Sequence, residues 1–337
     1  MERKRVLLGF SGGIDSTSAV GILQGEGYDV VALTIDTLLD SETIAKTERV
    51  ANELGIEWHL YDGRERFERE IVNYFCQEYS EGRTPAPCTR CNSLIKWAIL
   101  EEVANELGIE HIATGHYFNI EEHDGYYYVA KGIDPAKDQS YYLWGLSQGI
   151  LRRALTPMGK LIKSEVKEAF KDKSESMGIC FLQHKHYTEF LESKGVGMTE
   201  GDIVDQQGTI CGRHNGIARY TIGQRRGEGL KDGMRVLAID GRSNTIIVGN
   251  KDSLYKSTLI VKHCNIVNRN ELLTSNDIML KIRGIGINPQ QPIRISELED
   301  GFVITSPDPT YAPAKGQPVV FYRKNLVIGG GIIESFE

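Results

Sequence analysis

The chain has 337 residues, of which 40% are hydrophobic and 25% charged, and its formal net charge is −7. These values are typical of a globular protein of two or three domains, and they exclude a disordered or fibrous chain. No stretch approaches the roughly 18 apolar residues that a membrane-spanning helix requires, and the apolar run behind the basic N-terminus is too short for a signal peptide. We therefore expect a cytoplasmic protein with no membrane partner, whose six cysteines are mainly reduced.

The first element is an apolar run, Val6 to Phe10, followed by Ser11-Gly12-Gly13-Ile14-Asp15-Ser16 and a helical pattern from Thr17 to Gln24. A strand, a glycine turn and a helix start form an anion cradle, because glycines let the backbone approach a ligand and the helix N-terminus offers unpaired N–H groups. The turn is neither a Walker A motif nor the dinucleotide pattern. It resembles the SGGxDS loop of the PP-loop ATP pyrophosphatases, which adenylate a carbonyl oxygen and release pyrophosphate. The alternative is a plain strand-to-helix turn with Asp15 and Ser16 as N-cap residues.

The rest of the first half alternates apolar strands with helical patterns, as a doubly wound parallel sheet requires. The predicted strands cover residues 30–35, 58–61 and 111–114, and the predicted helices begin near residues 41, 67 and 93. A hairpin is predicted around His123-Asp124-Gly125, and a helical region from residue 139 to about 173. That last region carries seven Lys or Arg against three Asp or Glu between Arg152 and Lys173, so we expect it to contact a nucleic-acid backbone unless it is an ordinary solvated helix face.

Beyond about residue 195 the helical pattern gives way to short apolar runs separated by glycine and Asn/Asp turns, which indicate antiparallel β-structure. The runs cover residues 245–248, 259–261, 278–280, 302–304 and 319–322. We therefore predict an α/β plus β protein with three domains. They are a doubly wound nucleotide-binding domain at 1–195, a small central β-containing domain at 196–255 and an antiparallel β-barrel at 256–337.

The cysteines carry a second signal. Cys88-Thr89-Arg90-Cys91 lies between a proline-rich loop and a predicted helix, so Cys91 is expected near a helix N-terminus, which favours the thiolate. A structural zinc site would need a second ligand pair, and buried inert thiols fit a polar loop poorly. Cys180 lies among apolar neighbours. Together with an adenylating fold, the cysteines suggest sulfur transfer in which one thiol carries a persulfide and another resolves it as a disulfide.

Several segments resemble the tRNA-specific 2-thiouridylases, in order and over nearly the whole chain. They are Gly9 to Ser16, Arg83 to Pro87 with Cys91-Asn92, Ala113 to Tyr117, Lys137 to Tyr141, Gly178 to Phe181, Tyr220 to Arg225 and Gly329 to Ile333. The resemblance implies an enzyme that uses ATP to thiolate the wobble uridine of tRNA, by adenylation of its C2 oxygen and sulfur transfer from a cysteine persulfide. It implies Cys180 as the persulfide carrier and Cys91 as the nucleophile that closes the disulfide. It also implies a persulfide donor, either a cysteine desulfurase or a relay protein.

The resemblance also implies binding residues. Those for ATP are Gly9, Phe10, Ser11, Gly12, Gly13, Ile14, Asp15, Ser16, Ile35 and Gly115, with Asp15 helping to hold Mg²⁺. Those for tRNA are Pro85, Ala86 and Pro87 beside the target uridine, together with Lys137, Asp138, Gln139 and Arg283.

The sequence departs from the family at two positions. Cys88 stands where many members carry an aspartate, and Arg283-Gly284 replaces an Arg-Tyr pair. Because of the first departure, a [4Fe-4S] cluster held by Cys88, Cys91 and Cys180 stays open as an alternative sulfur carrier. A PP-loop ligase or amidotransferase that uses nitrogen, and a non-catalytic RNA-binding protein, are the alternatives from other classes.

Overall fold

The structure is a computed structural model that describes residues 3–38, 40–168, 178–183, 185–282 and 288–337. Arg283 and residues 169–173 of the basic region lie outside the described residues, as do the side chains at 167 and 168. The chain forms two compact units. The first comprises Met1–Ile71, Cys88–Met177 and Asn325–Ile328, and the second comprises Val72–Pro87, Gly178–Lys324 and Gly329–Glu337. No helix among the described residues is long and apolar enough to span a membrane.

The helices are mostly short. They are α1 (Ile14–Gly25), α2 (Ser41–Glu53), α3 (Arg64–Phe67), α4 (Asn73–Ser80), α5 (Pro87–Cys91), α6 (Trp97–Glu106), α7 (Gln148–Arg153), α8 (Lys163–Glu168), α9 (Tyr187–Ser193) and α10 (Arg269–Thr274). Two π-helical segments, Glu68–Val72 and Asn92–Lys96, continue α3 into α4 and α5 into α6.

The strands of the first half are β1 (Arg5–Gly9), β2 (Asp29–Asp36), β3 (Glu57–Asp62), β4 (His111–Thr114), β5 (Phe118–His123), β6 (Tyr126–Lys131) and β7 (Ala154–Leu155). Those of the second half are β8 (Gly201–Val204), β9 (Ile210–His214), β10 (Arg235–Asp240), β11 (Thr245–Gly249), β12 (Tyr255–Ile266), β13 (Ile278–Lys281), β14 (Arg294–Leu298), β15 (Gly301–Tyr311), β16 (Pro318–Arg323) and β17 (Leu326–Phe336).

The first unit is built on a five-stranded parallel sheet in the order β3-β2-β1-β4-β7. Val6, Leu7 and Leu8 are fully buried in β1, as expected for a central strand covered on both faces. From β1 the chain adds β2 and β3 on one side, and β4 then joins on the other side. The strand order therefore reverses between β1 and β4, and ligands bind at the carboxyl ends of the strands at such a switch point.

The hairpin of β5 and β6 also belongs to the first unit. Its turn is Asp124-Gly125, with positive φ angles of 52° and 79°, as a tight two-residue hairpin requires. The predicted hairpin is confirmed. Ala130 of β6 pairs with Leu326 at the start of β17, a contact between residues far apart in the chain.

The second unit contains two further sheets. One has the order β10-β11-β8-β9 and buries Ile203, Val236 and Ile246 in its core. The other contains antiparallel strands in the order β13-β16-β17-β12-β15-β14. Each strand predicted after residue 195 lies in a strand of the structure, and the predicted fold class is confirmed. The three-domain boundaries stay a prediction.

Two local predictions are wrong. The helix expected to begin at Ser93 begins at Pro87, because proline suits the first turn, where its missing N–H costs nothing. The region expected to be helical from residue 139 contains the parallel strand β7, whose two residues are too few to produce a hydrophobic pattern.

Candidate nucleotide and sulfur-transfer site

The predicted glycine loop lies at the carboxyl end of β1, at the switch point of the sheet. Gly12 adopts a positive φ of 64°, which a residue with a side chain rarely takes. The loop is closed by Ser16, whose Oγ accepts from the Ser11 N–H and donates to the Gly13 carbonyl, both at 3.3 Å. Main-chain N–H groups therefore gather at the start of α1, as an anion site requires.

Gly115 follows β4 and lies directly against the start of α1. A Cβ atom at this position would be 2.9 Å from the Ser16 nitrogen and 3.0 Å from the Asp15 carbonyl carbon. Only glycine permits this approach of the two chain segments. The structure thus brings together Gly12, Asp15, Ser16 and Gly115, and Ile35 lies near the end of β2 at the same edge of the sheet.

Asp15 is held by two side chains from other parts of the first unit. The Tyr117 hydroxyl donates to Asp15 Oδ1 at 2.8 Å, and the Lys163 ammonium group forms an ion pair with the same oxygen. The Lys163 side chain is only 7% exposed, whereas that of Asp15 is 39% exposed. A buried cation therefore fixes a carboxylate that still reaches solvent.

The sequence does not predict these contacts. It places Lys163 in a basic region expected to contact nucleic acid, and the burial of Lys163 against Asp15 corrects that expectation for this residue. One feature of the sequence is consistent with its burial. Lys163 lies three residues before Val166, which is buried, so the two residues share a face of α8. Tyr117 lies within a segment that resembles the family, but the resemblance implies no role for it.

His116 adjoins Gly115, and its Nδ1 atom forms a hydrogen bond with Thr114 Oγ1, at 2.8 Å. Burial, and to a lesser degree the charge of Lys96, lower the pKa of His116 from 6.5 to about 3. The imidazole is therefore neutral at physiological pH, so no cationic role is assigned to it.

The two cysteines of the C-x-x-C segment lie within α5 instead of ahead of a helix. Cys88 is exposed in the first turn, and Cys91 is 7% exposed at the end of α5. Arg90 anchors this helix, because its guanidinium donates to the Glu70 carbonyl at 2.8 Å and to the Glu70 carboxylate at 2.9 Å. Because Cys88 lies in the first turn of α5 and Cys91 is its last residue, the helix N-terminus is closer to Cys88.

Cys180 is exposed at the start of a single 3₁₀ turn in the second unit. The next residue, Phe181, is buried and packs edge-on against Phe75, at 5.2 Å between ring centroids, and in a tilted arrangement against Phe190, at 5.1 Å. This aromatic cluster holds the turn in place, so the thiol is presented to solvent on a fixed segment.

The proline-rich loop is tied to the rest of the second unit. Pro85 and Pro87 are buried, and Ala86 is half-buried. Arg83 bridges Glu78, at 3.0 Å, and Glu334, at 3.2 Å, and the Thr84 N–H donates to the Lys315 carbonyl at 2.7 Å. Burial raises the pKa of Glu78, against the opposing effect of Arg83.

Asp138 and Gln139, both predicted to contact tRNA, form hydrogen bonds within the first unit through their side chains. The Asp138 carboxylate accepts from the N–H groups of Gly132 and Ser140, both at 3.1 Å. Gln139 exchanges two hydrogen bonds with the main chain of Tyr117, each 2.9 Å long. These residues shape the loop that presents Lys137.

The loop fits a nucleotide with a magnesium ion. Thr17 Oγ1 is buried beside the glycine loop without a hydrogen-bond partner in the described part of the chain. Mg²⁺ is usually held by one or two carboxylates together with substrate phosphates, and the exposed Asp15 can supply one. Among the described residues, no three His, Cys, Asp or Glu side chains are grouped to hold a metal by themselves.

A glycine loop at the switch point of a parallel sheet, followed by two largely antiparallel sheets, is typical of the PP-loop class of enzymes. Family models described as a tRNA methyl transferase HUP domain, a tRNA methyl transferase PRC-barrel domain and an aminomethyltransferase beta-barrel domain match residues 4–184, 188–250 and 256–333. The chain belongs to the tRNA-specific 2-thiouridylase family, as its similarity to curated relatives over its full length shows.

Two of these relatives illustrate the match. The tRNA-specific 2-thiouridylase MnmA 1 of Clostridium botulinum (strain Loch Maree / Type A3) is 37% identical over 99% of this chain and 100% of its own. The MnmA of Clostridium perfringens (strain ATCC 13124) is 36% identical over 99% of each chain. Among solved structures, a 4-thiouridine synthetase in complex with RNA and ATP matches with a TM-score of 0.37 and 16% identity, over 57% of this chain and 50% of its own.

Proposed function

We propose that this enzyme is a tRNA-uridine 2-sulfurtransferase that adenylates the C2 oxygen of the wobble uridine and then replaces that oxygen with sulfur. The observation that carries the proposal is the glycine cradle with Asp15 held by Lys163 and Tyr117, in a chain similar along its length to 2-thiouridylases. Residence in the cytoplasm, where tRNA and ATP are available, is part of the same proposal.

In the first step the main-chain N–H groups of Gly12 and Gly13 and the start of α1 hold the ATP phosphates. Asp15 would hold Mg²⁺, which would neutralise phosphate charge. The uridine C2 oxygen attacks the α-phosphorus and pyrophosphate leaves. The half-buried Ala86 borders the uridine, and Lys137 contacts the RNA backbone.

In the second step the outer sulfur of a Cys180 persulfide attacks C2 and AMP leaves. The Cys91 thiolate then attacks the Cys180 sulfur, which releases the thiocarbonyl and forms a Cys91–Cys180 disulfide. In a variant of this route Cys91 attacks first and frees sulfide, which attacks C2. An external dithiol reduces the disulfide, and a cysteine desulfurase or relay protein reloads Cys180.

The test is mass spectrometry of tRNA nucleosides after incubation with ATP and a persulfide donor. Cys91→Ala and Cys180→Ala should each abolish 2-thiouridine, while tRNA-dependent pyrophosphate release survives because adenylation comes before any thiol acts. Cys264→Ala is the matched control, since burial raises the pKa of Cys264 to about 11 and leaves a poor nucleophile. Thiolation that persists without Cys91 or Cys180 would overturn the proposal.

Cys88 separates the persulfide route from a cluster route. In the persulfide route Cys88→Ala should keep substantial thiolation. In the cluster route the same change should remove both bound iron and activity, and the reconstituted wild type should absorb broadly near ~400 nm. We propose the persulfide route, because it needs only the Cys91 and Cys180 thiols and because the segment Gly178 to Phe181 around Cys180 resembles the family.

A further inference from the structure

The two side chains that hold Asp15 are both anchored on one loop, Gly132 to Gln139, here called the 132–139 loop. On one side, the Asp134 Oδ2 atom accepts from the main-chain N–H of Lys163, at 2.9 Å. On the other side, Gln139 exchanges its two hydrogen bonds with the main chain of Tyr117. Two separate connections therefore run from this loop to the same carboxylate.

The Asp134 connection fixes the base of the lysine side chain. Lys163 is the first residue of α8, so the Asp134 carboxylate caps the N-terminus of that helix from a distant loop. The lysine side chain has four flexible carbons, and its ammonium group stays on Asp15 only if the main chain beneath it is held. Asp134 is not among the residues that the sequence predicts for the site.

The loop itself is stiffened by its own hydrogen bonds. Asp134 Oδ1 accepts from the Ala136 N–H at 3.0 Å, and the Lys137 N–H donates to the Asp134 carbonyl at 3.1 Å. Lys137 therefore lies within one hydrogen-bonded turn of Asp134 and two residues from Gln139. A ligand that fixes Lys137 also fixes the anchors of both connections.

We propose that Asp134 is a positioning residue through which RNA bound at the 132–139 loop stabilises the ion pair between Lys163 and Asp15 and so tightens nucleotide binding. This inference rests on the proposed function, in which the loop contacts tRNA and Asp15 contacts Mg²⁺-ATP. Because coupling between two binding sites is reciprocal, ATP tightens tRNA binding by the same factor.

The experiment measures binding of a non-hydrolysable ATP analogue with Mg²⁺, by titration calorimetry, with and without saturating unmodified tRNA transcript. In the wild type, tRNA should tighten the analogue by roughly 5- to 150-fold, the range in which such couplings fall. Asp134→Ala should weaken the analogue and reduce the coupling to within about 2-fold of unity. Asp134→Asn keeps an acceptor oxygen and should restore most of the coupling.

Asp205→Ala is the matched control, because Asp205 also accepts main-chain N–H groups within a loop, from Gln207 at 2.9 Å and Thr209 at 2.8 Å, but lies in the second unit. It should leave the coupling unchanged. Tyr117→Phe removes only the hydroxyl that donates to Asp15, and so tests the connection that runs from Gln139 through Tyr117. It should lower the coupling even if Asp134→Ala does not fold.

The outcomes separate this inference from the function beneath it. A wild type that binds neither tRNA nor the ATP analogue would overturn both. A wild type that binds both ligands and thiolates tRNA, with full coupling retained in Asp134→Ala and Tyr117→Phe, would overturn the role of Asp134 alone. Absence of coupling between tRNA and the ATP analogue in the wild type would also overturn the role of Asp134.

Discussion

At the scale of single residues, Lys163 is the contact with the clearest consequence. Lys163→Met keeps the apolar length of the side chain but removes the charge beside Asp15. Asp15 remains partly hydrated, so the fold should persist. If this is the adenylation site, as proposed, loss of a preorganised charge there should reduce tRNA-dependent pyrophosphate release by about 100-fold or more.

Lys160→Met is the matched control for that variant, because Lys160 lies three residues earlier and is exposed. At saturating tRNA it should release pyrophosphate at a rate close to that of the wild type. If the two variants lose the same fraction of the pyrophosphate-release rate, or if Lys163→Met loses none, Lys163 does not contribute to the nucleotide site. Thermal unfolding of both proteins checks that they are folded.

His116 makes stability depend on pH. Its pKa is lowered to about 3 by burial, so between pH 6.5 and 3 the unfolded chain binds a proton that the folded chain does not. Stability is therefore present above pH 6.5 and lost as the pH falls. We expect the wild type to lose roughly 2 kcal/mol from this group between pH 7 and pH 5. Urea unfolding of His116→Asn should show a smaller loss over the same interval; an equal loss would contradict this.

The difference between predicted and missed residues has a physical reason. The loop that carries Asp15 could be predicted from its residues, because a glycine turn at the end of a strand constrains the backbone locally, whereas Gly115 is implied only by the resemblance to the family. Lys163 could not be predicted, because a lysine in a basic region is expected in solvent, and its burial depends on a carboxylate 148 residues away. A local sequence pattern indicates constraints within its own segment, and it gives no information about a partner that is distant in the chain.

At the scale of elements, the contact between the end of β4 and the start of α1 should tolerate no side chain. In Gly115→Ala the new Cβ would press on the main chain of Ser16, and main-chain atoms cannot give way as a flexible side chain can. We expect ATP affinity to fall at least 10-fold, because the cradle must open by several tenths of an ångström. Equilibrium binding of an ATP analogue measures it.

Gly21→Ala provides the control within the same helix. Gly21 is exposed in α1, and a Cβ atom added there would meet nothing within 4 Å among the described residues outside its own helix turn. Alanine is the better helix former, so this variant should gain about 0.5–1 kcal/mol in the free energy of unfolding and bind ATP normally. Weaker ATP binding in Gly21→Ala would show that α1 responds to substitution in general.

Element types follow from periodicity wherever a pattern is long enough. The parallel strands β1 and β2 are predicted close to their observed positions, because continuous apolar runs mark buried strands. Strand β7 is not, since two residues carry no period. The start of α5 is misplaced because Pro85 and Pro87 together suggest a loop, whereas Pro87 is the first residue of the helix.

At the scale of the whole molecule, the sequence predicts which segments are strands but not how distant strands pair. Leu326 pairs with Ala130, and the strands of the last sheet do not pair in chain order. Hydrophobic patterns fix the side of a strand that is buried, and carry no information about its neighbour. The same holds for Arg83 and Glu334, which pair across 251 residues.

Arg83 also forms an ion pair with Glu78, and this second pair leads to a prediction about the second unit. The side chains of Arg83 and Glu78 are only 16% and 13% exposed, so Arg83→Met leaves a nearly buried carboxylate unpaired. Such a loss costs about 3–5 kcal/mol of unfolding free energy. Arg213→Met is the control, because Arg213 is 65% exposed and its partner Asp202 is 39% exposed, and exposed pairs contribute about 1 kcal/mol or less.

The pH dependence identifies the cause of the Arg83 effect. Burial already raises the pKa of Glu78, and without Arg83 it should rise further. A carboxyl whose folded pKa is raised stabilises the fold in acid and loses that contribution as pH increases through it. The deficit of Arg83→Met should therefore be larger at pH 8 than at pH 5 in urea unfolding, and adding Glu78→Gln should recover part of it. A deficit independent of pH, with no recovery in the double variant, would mean that Arg83 stabilises the proline-rich loop by packing and not by its charge.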